Sequence, residues 1–189
     1  TSKRVQFFCF MYIRATKHDI MKKYVLLIVF ALVTFAGFSQ EKEDEVTTYY
    51  LIRHAEKNRA VEGDKDPFLT EKGTNRAKHW AEVLSTANID MVYSTNYNRT
   101  KETARPTATQ NGLRLYMYNP RKMYDEEFKF NTKGKNVLIV GHSNTTNAFA
   151  NKILGKNKYS QINDNNNANL YIVTVTKSGA TSVLLKIDN

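Results

Sequence analysis

The stretch Tyr49-Tyr50-Leu51-Ile52-Arg53-His54-Ala55-Glu56-Lys57 is an aromatic and aliphatic run that stops abruptly at Arg-His. Such a run fits a strand buried on both faces, and its charged end puts a guanidinium and an imidazole at the strand's C-terminal tip. In open α/β sheets ligands sit outside those tips, where loops and helix N-termini leave backbone N–H groups free for anions. A second stretch has the same form: Val137-Leu138-Ile139-Val140-Gly141-His142-Ser143-Asn144 ends in Gly-His. Two such strands, with an arginine beside one histidine, point to a phosphate site.

Between and around these strands the chain alternates in type. Residues 47–53 form the first strand, and residues 58–67, with Gly63 and Pro67, an exposed loop. Thr70 is an N-cap for a helix that buries Ala77, Trp80, Ala81 and Leu84, spaced i, i+3, i+4, i+7. Residues 89–94 make a second strand, followed by a helix from Arg99 that Pro106 bends or restarts and Gly112 ends. Residues 113–118 form a third strand, residues 124–130 a short helix, and residues 137–141 the fourth strand. A helix opens at Asn144 or Thr145 and closes at Gly155, an asparagine-rich turn covers 163–167, and residues 170–175 and 181–187 form a hairpin about Lys177-Ser178-Gly179. The expected fold is a three-layer αβα domain around a mostly parallel sheet with a C-terminal β-hairpin.

The first forty residues read differently. Met21-Lys22-Lys23 is a short basic region, residues 24–38 carry no charge, and Gly37 and Ser39 place small residues before Gln40, the layout of a secretory signal peptide. The apolar run is shorter than the roughly 20 residues that cross a bilayer. We therefore expect residues 1–20 to be upstream sequence or an extended n-region, 21–39 a cleaved signal, and 40–189 an exported domain, periplasmic or secreted, with no membrane attachment after cleavage. The only cysteine, Cys9, lies before the expected cut, which excludes disulfides and thiolate chemistry from the domain. Of the +10 formal charge, residues 1–40 hold six Lys or Arg and one acid, leaving 22 bases against 17 acids. That mild excess suits an anionic substrate and, without a clustered basic stripe, argues against nucleic acid.

His54 and His142 at two strand tips, Arg53 beside the first and Arg99 near a helix start can hold a dianionic phosphoryl group, since guanidinium forks bind phosphate oxygens bidentately. A neutral imidazole can then attack phosphorus. Glu56 forms His-x-Glu with His54, but zinc sites of that type also need cysteines that the domain lacks. No metal or cofactor is expected.

With these residues in view, the sequence resembles the histidine phosphatase, or phosphoglycerate-mutase-like, superfamily. Leu51-Ile52-Arg53-His54-Ala55-Glu56 is similar to its Arg-His-Gly signature, with Ala55 replacing the usual glycine, and Leu69-Thr70-Glu71-Lys72-Gly73 to its Leu-Thr-x-x-Gly helix start. Tyr93-Ser94 through Arg99-Thr100-Lys101-Glu102-Thr103-Ala104 resembles its second-arginine segment, and Val140-Gly141-His142-Ser143 its second-histidine segment. The resemblance implies a phosphoglycerate-mutase-like fold and His54 as the phosphorylated nucleophile, with Arg53, Arg99, His142 and the Ser143 backbone N–H holding phosphoryl oxygens. It also implies a proton donor between the second arginine and second histidine, where Glu126 and Glu127 are the candidates. The short intervening segment implies little lid, as in the small phosphohistidine phosphatases. The expected activity is hydrolysis of a small phosphomonoester; the alternative is a catalytically silent domain of this fold that binds a phosphorylated ligand or a protein. If the leader is cleaved as expected, N-terminal sequencing of exported protein will start at or next to Gln40, and a membrane-bound species retaining Met21 will show an anchor instead.

Overall fold

The computed structural model describes residues 22–23 and 45–188, so the expected leader and the segment before it lie, apart from Lys22 and Lys23, outside the described residues. Along the domain, strands and helices alternate as β1 (Thr47–Arg53), α1 (Glu71–Val83), β2 (Met91–Ser94), α2 (Asn98–Gln110), β3 (Leu115–Met117), α3 (Glu126–Thr132), β4 (Asn136–Gly141), α4 (Thr146–Leu154), β5 (Asn169–Thr176) and β6 (Gly179–Lys186). They build one six-stranded sheet in the order β3-β2-β4-β1-β5-β6. β1, β4, β2 and β3 run parallel, while β5 and β6 are added antiparallel as a hairpin.

The two strands that end in histidine are the central pair. Their register sets Leu51 beside Ile139 and Arg53 beside Gly141, and the ladder runs one bond further, from His54 N–H to the Gly141 carbonyl at 2.9 Å. Because strand side chains alternate between faces, Tyr49, Leu51, Val137 and Ile139 pack on one side with Phe128 of α3 and Phe149 and Ile153 of α4. Ile52, Leu138 and Val140 pack on the other with Trp80 of α1 and Ala104 and Ala108 of α2. Both faces are therefore dry, which is why β1 and β4 read as continuous apolar runs. At about 1.5–3 kcal/mol for each large side chain taken out of water, this double burial holds the strand tips in place.

Local chemistry sets the helix starts. Thr70 caps α1, accepting from the Gly73 N–H at 3.0 Å, and Asp125 caps α3, accepting from the Phe128 N–H at 2.9 Å. The Thr70 N–H in turn donates to the Glu56 carbonyl at 2.9 Å, so the start of α1 is tied to the segment just past His54. Pro106 does not restart α2, which is continuous from Asn98 to Gln110. Its Thr103, Ala104, Thr107 and Ala108 are buried, and this packing compensates for the hydrogen bond that the proline omits. β3 is three residues long rather than the six expected: its pairing with β2 begins only at Leu115 and closes with the bond from the Tyr118 N–H to the Ser94 carbonyl at 3.0 Å.

Gly73 makes the tightest approach between α1 and the chain below it. A Cβ at this position would lie 2.2 Å from the Glu56 carbonyl oxygen, a backbone atom that cannot swing away. Gly73→Ala should therefore destabilise the domain by about 1–3 kcal/mol, the usual range for overpacking. A denaturant midpoint unchanged from the parent would show that α1 can shift at no cost.

Candidate active site

The register of β1 and β4 brings the two histidines together, with ring centroids 5.5 Å apart and planes at 66°. His54 is 4% exposed. Its Nδ1 lies 2.8 Å from the Ala55 carbonyl, which can only accept, so the proton sits on Nδ1 and the Nε2 lone pair is left free. Burial pushes the His54 imidazole down to about 3, with the positive charge of Arg53 adding to the effect, so the ring is neutral at physiological pH.

His142 is held from the other side of the sheet tip. Its Nε2 is 2.9 Å from Thr95 Oγ1, the Thr95 hydroxyl donates to Thr100 Oγ1 at 3.0 Å, and the Thr100 hydroxyl donates to the backbone carbonyls of Thr95 and Tyr97. Since each hydroxyl in this relay has spent its proton, the first bond must be donated by His142 Nε2–H. Burial, then the charges of Arg99 and Arg53, push His142 down to about 4. Gly141 precedes it for steric reasons. A Cβ there would fall within 3 Å of the hydroxyls of Thr145, Thr146 and Tyr118.

Arg53 is 2% exposed, and its charge has to be met inside the protein. Its Nη1 donates to the carbonyls of Asn163, Asp164 and Asn166 at 3.0, 2.7 and 3.1 Å, and its Nη2 to Asp164 Oδ1 at 2.9 Å. The asparagine-rich turn is thus a cradle for the guanidinium, and Asn167 extends it, donating from Nδ2 to the His54 carbonyl at 2.7 Å. Arg99 enters from the first turn of α2, donating to the Lys65 carbonyl at 3.2 Å and lying over the Tyr97 ring at 4.5 Å. Thr103, one turn on, accepts from the Ala55 N–H at 2.9 Å and donates to the Arg99 carbonyl at 2.7 Å, coupling the two arginine-bearing segments. Arg53 Nε and Arg99 Nε are both buried and without a partner among the described residues.

Arg53, His54, Arg99, His142 and Ser143 line one cavity of about 570 Å³. Glu126 and Glu127 do not line it. Glu126 is an exposed partner of Lys129 at 2.7 Å, and Glu127 opens into a separate cleft with Tyr93, Tyr116 and Phe128. The capping of α3 by Asp125 sets both glutamates on its first, solvent-facing turn, a placement that spacing alone did not reveal. Among the described residues, Asp164 is the one carboxylate lining the cavity. Burial would raise it, but Arg53 and Arg59 hold it below its ordinary value, so it is an ion rather than a proton donor. Glu56, the alternative metal ligand, has both carboxylate oxygens 3.0 Å from Arg76 Nε.

The sequence model of the histidine phosphatase superfamily (branch 1) matches residues 49–119, the span that carries Arg53, His54 and Arg99. Over that span the chain is similar to the histidine phosphatase superfamily. Solved structures share the fold. A protein from Agrobacterium tumefaciens assigned as phosphohistidine phosphatase SixA is 20% identical, covering 74% of this chain and 97% of its own at a TM-score of 0.55. A protein histidine phosphatase SixA solved with tungstate is 14% identical over 74% and 96% at 0.61, and a mycobacterial glucosyl-3-phosphoglycerate phosphatase solved with VO3 is 12% identical over 75% and 100% at 0.57. At such identities the likeness is one of fold. No curated protein matches. Thr95, Thr103, Asp164 and Asn167, which hold His142, the Ala55 N–H, Arg53 and the His54 carbonyl, are the residues around this cavity that sequence reasoning missed.

The two depressed imidazoles give the domain a pH dependence. In the unfolded chain a histidine titrates near ~6.5, so below that value the unfolded state binds more protons than the folded one. Stability is then complete above about pH 6.5 and is lost as pH falls toward the folded values. Denaturant midpoints should drop between pH 7 and 5, and the drop should be smaller in a His54→Ala/His142→Ala double variant. Parallel curves for the two proteins would show that these rings do not contribute.

Proposed function

We propose that this domain is a phosphatase acting on a small phosphomonoester through a phosphohistidine on His54, and that it works outside the cytoplasm once residues 21–39 are removed. The observation that carries the catalytic reading is the pairing of a buried imidazole, its proton fixed on Nδ1, with two buried arginine Nε–H groups on the same cavity. A nucleophile and unspent donors for the equatorial oxygens are the two things in-line phosphoryl transfer needs. Tungstate and VO3, oxyanions comparable to a phosphoryl group, are bound in two structures of the same fold.

In the first step the His54 Nε2 lone pair forms a bond to phosphorus while the bond from phosphorus to the ester oxygen breaks. In the second a water oxygen attacks phosphorus, the phosphorus–nitrogen bond breaks and inorganic phosphate leaves with His54 neutral again. An entering dianion favours the charged form of His142, which then has two N–H donors. With Asp164 ionised and the two glutamates elsewhere, the ester oxygen leaves with little help from a carboxylic acid. Esters of acidic alcohols, such as aryl phosphates, suit this site best.

The test is to trap the intermediate. Brief incubation with substrate and an acid-free quench should leave one phosphoryl group on His54, and His54→Ala should abolish both label and turnover. Arg99→Ala and His142→Ala should leave enzymes slower by about 10²–10³, as expected when one charge-stabilising donor is removed. A His54→Ala protein that turns over at near the parent rate overturns the covalent mechanism. A parent protein that binds phosphate but never turns over an ester is instead the silent binding domain.

A further inference from the structure

Beside the main cavity lies a second one of about 160 Å³, which shares Arg53, His54, Lys57 and Asp164 with it and continues to Arg59 and Lys72. Its charges do not balance. Arg53 and Arg59 share one carboxylate, with Asp164 Oδ1 at 2.9 Å from the first and Oδ2 at 3.5 Å from the second. Lys72 reaches Glu56 only at 3.8 Å, and the same carboxylate is held more closely by Arg76 at 3.0 Å. Lys57, which stands where the two cavities join, has no carboxylate partner among the described residues. Burial and the charges of Arg99 and Arg59 hold its ammonium below the usual value, which marks a position of high positive potential.

One phosphoryl dianion at His54 would be met by Arg53 and Arg99, leaving Lys57 without a carboxylate and Arg59 and Lys72 with carboxylates they share with Arg53 and Arg76. Four basic side chains, Arg53, Lys57, Arg59 and Lys72, outnumber the two carboxylates of this cavity, Glu56 and Asp164, so its net charge is positive and favours an anion. We propose that Lys57, Arg59 and Lys72 form a subsite for a second anionic group, so that the preferred substrate carries a phosphate or carboxylate next to the phosphoryl group that is removed. This inference rests on the phosphatase reading for the word substrate, but the subsite itself requires only binding. Lys57 spans both groups. Arg59 and Lys72 touch only the second, and they set the preference for doubly charged molecules over singly charged ones.

Because phosphonates are not hydrolysed, they test the subsite independently of turnover. Calorimetric titration of the intact protein at low ionic strength should show propane-1,3-diyl bisphosphonate binding about tenfold more tightly than propylphosphonate, the gain expected from two or three partly exposed ion pairs. The ratio should shrink toward one in an Arg59→Gln/Lys72→Gln variant, and as salt screens the charges. Equal affinities in the parent protein, no binding of either phosphonate, or a preference that survives in the variant would each overturn the subsite. An aryl phosphate that is not hydrolysed while the bisphosphonate still binds preferentially would instead overturn the phosphatase reading and leave the subsite standing. Replacing the bisphosphonate by 4-phosphonobutanoate tells a phosphate preference from a carboxylate one.

Discussion

Everything at this site depends on the parallel pairing of β1 with β4. The bond from the His54 N–H to the Gly141 carbonyl, at 2.9 Å, is the last of that ladder, and it stops both strands at the same height. Without it the two imidazoles would have no fixed separation. With it they stand 5.5 Å apart on backbone that is buried on both faces. The site is therefore built on the least yielding part of the sheet, and the loops around it complete it rather than define it.

A cost comes with that position. Placing a guanidinium at the end of a dry strand strips it of water, a penalty of several kcal/mol unless polar groups replace the solvent. Three backbone carbonyls and the Asp164 carboxylate do so, from a turn more than a hundred residues away in sequence. The turn leads directly into β5, the strand that pairs antiparallel with β1. The C-terminal hairpin thus has two tasks: it extends the sheet, and it carries the carbonyl cradle to the place where Arg53 emerges.

The sheet, its helices and the hairpin were legible because period and burial speak directly through residue type. The apolar runs of β1 and β4 could only be doubly covered strands, and Thr70 and Gly73 announced the start of α1. The gathering of Arg53, His54, Arg99 and His142 at one cavity was legible because two apolar strands end in Arg-His and Gly-His. What could not be read was anything conveyed by backbone carbonyls or by common polar residues. Asn163 to Asn167 look like turn chemistry, and they are turns; that their carbonyls converge on Arg53 depends on strand order, which no local pattern encodes. Thr95 and Thr103 are ordinary threonines until the sheet sets one against His142 and the other against Ala55. Glu126 and Glu127 lie outside that cavity, on a first helical turn that the capping of α3 by Asp125 sets toward solvent.

The seating of both histidines in the central ladder also bears on local unfolding. Amide exchange in such strands proceeds through opening of most of the domain, whereas surface turns open at far smaller cost. His54 and His142 thus belong to the slowest-exchanging layer, and the asparagine turn to a faster one. Partial opening would release the Arg53 cradle first, on a timescale shorter than that of unfolding, while the two rings keep their spacing.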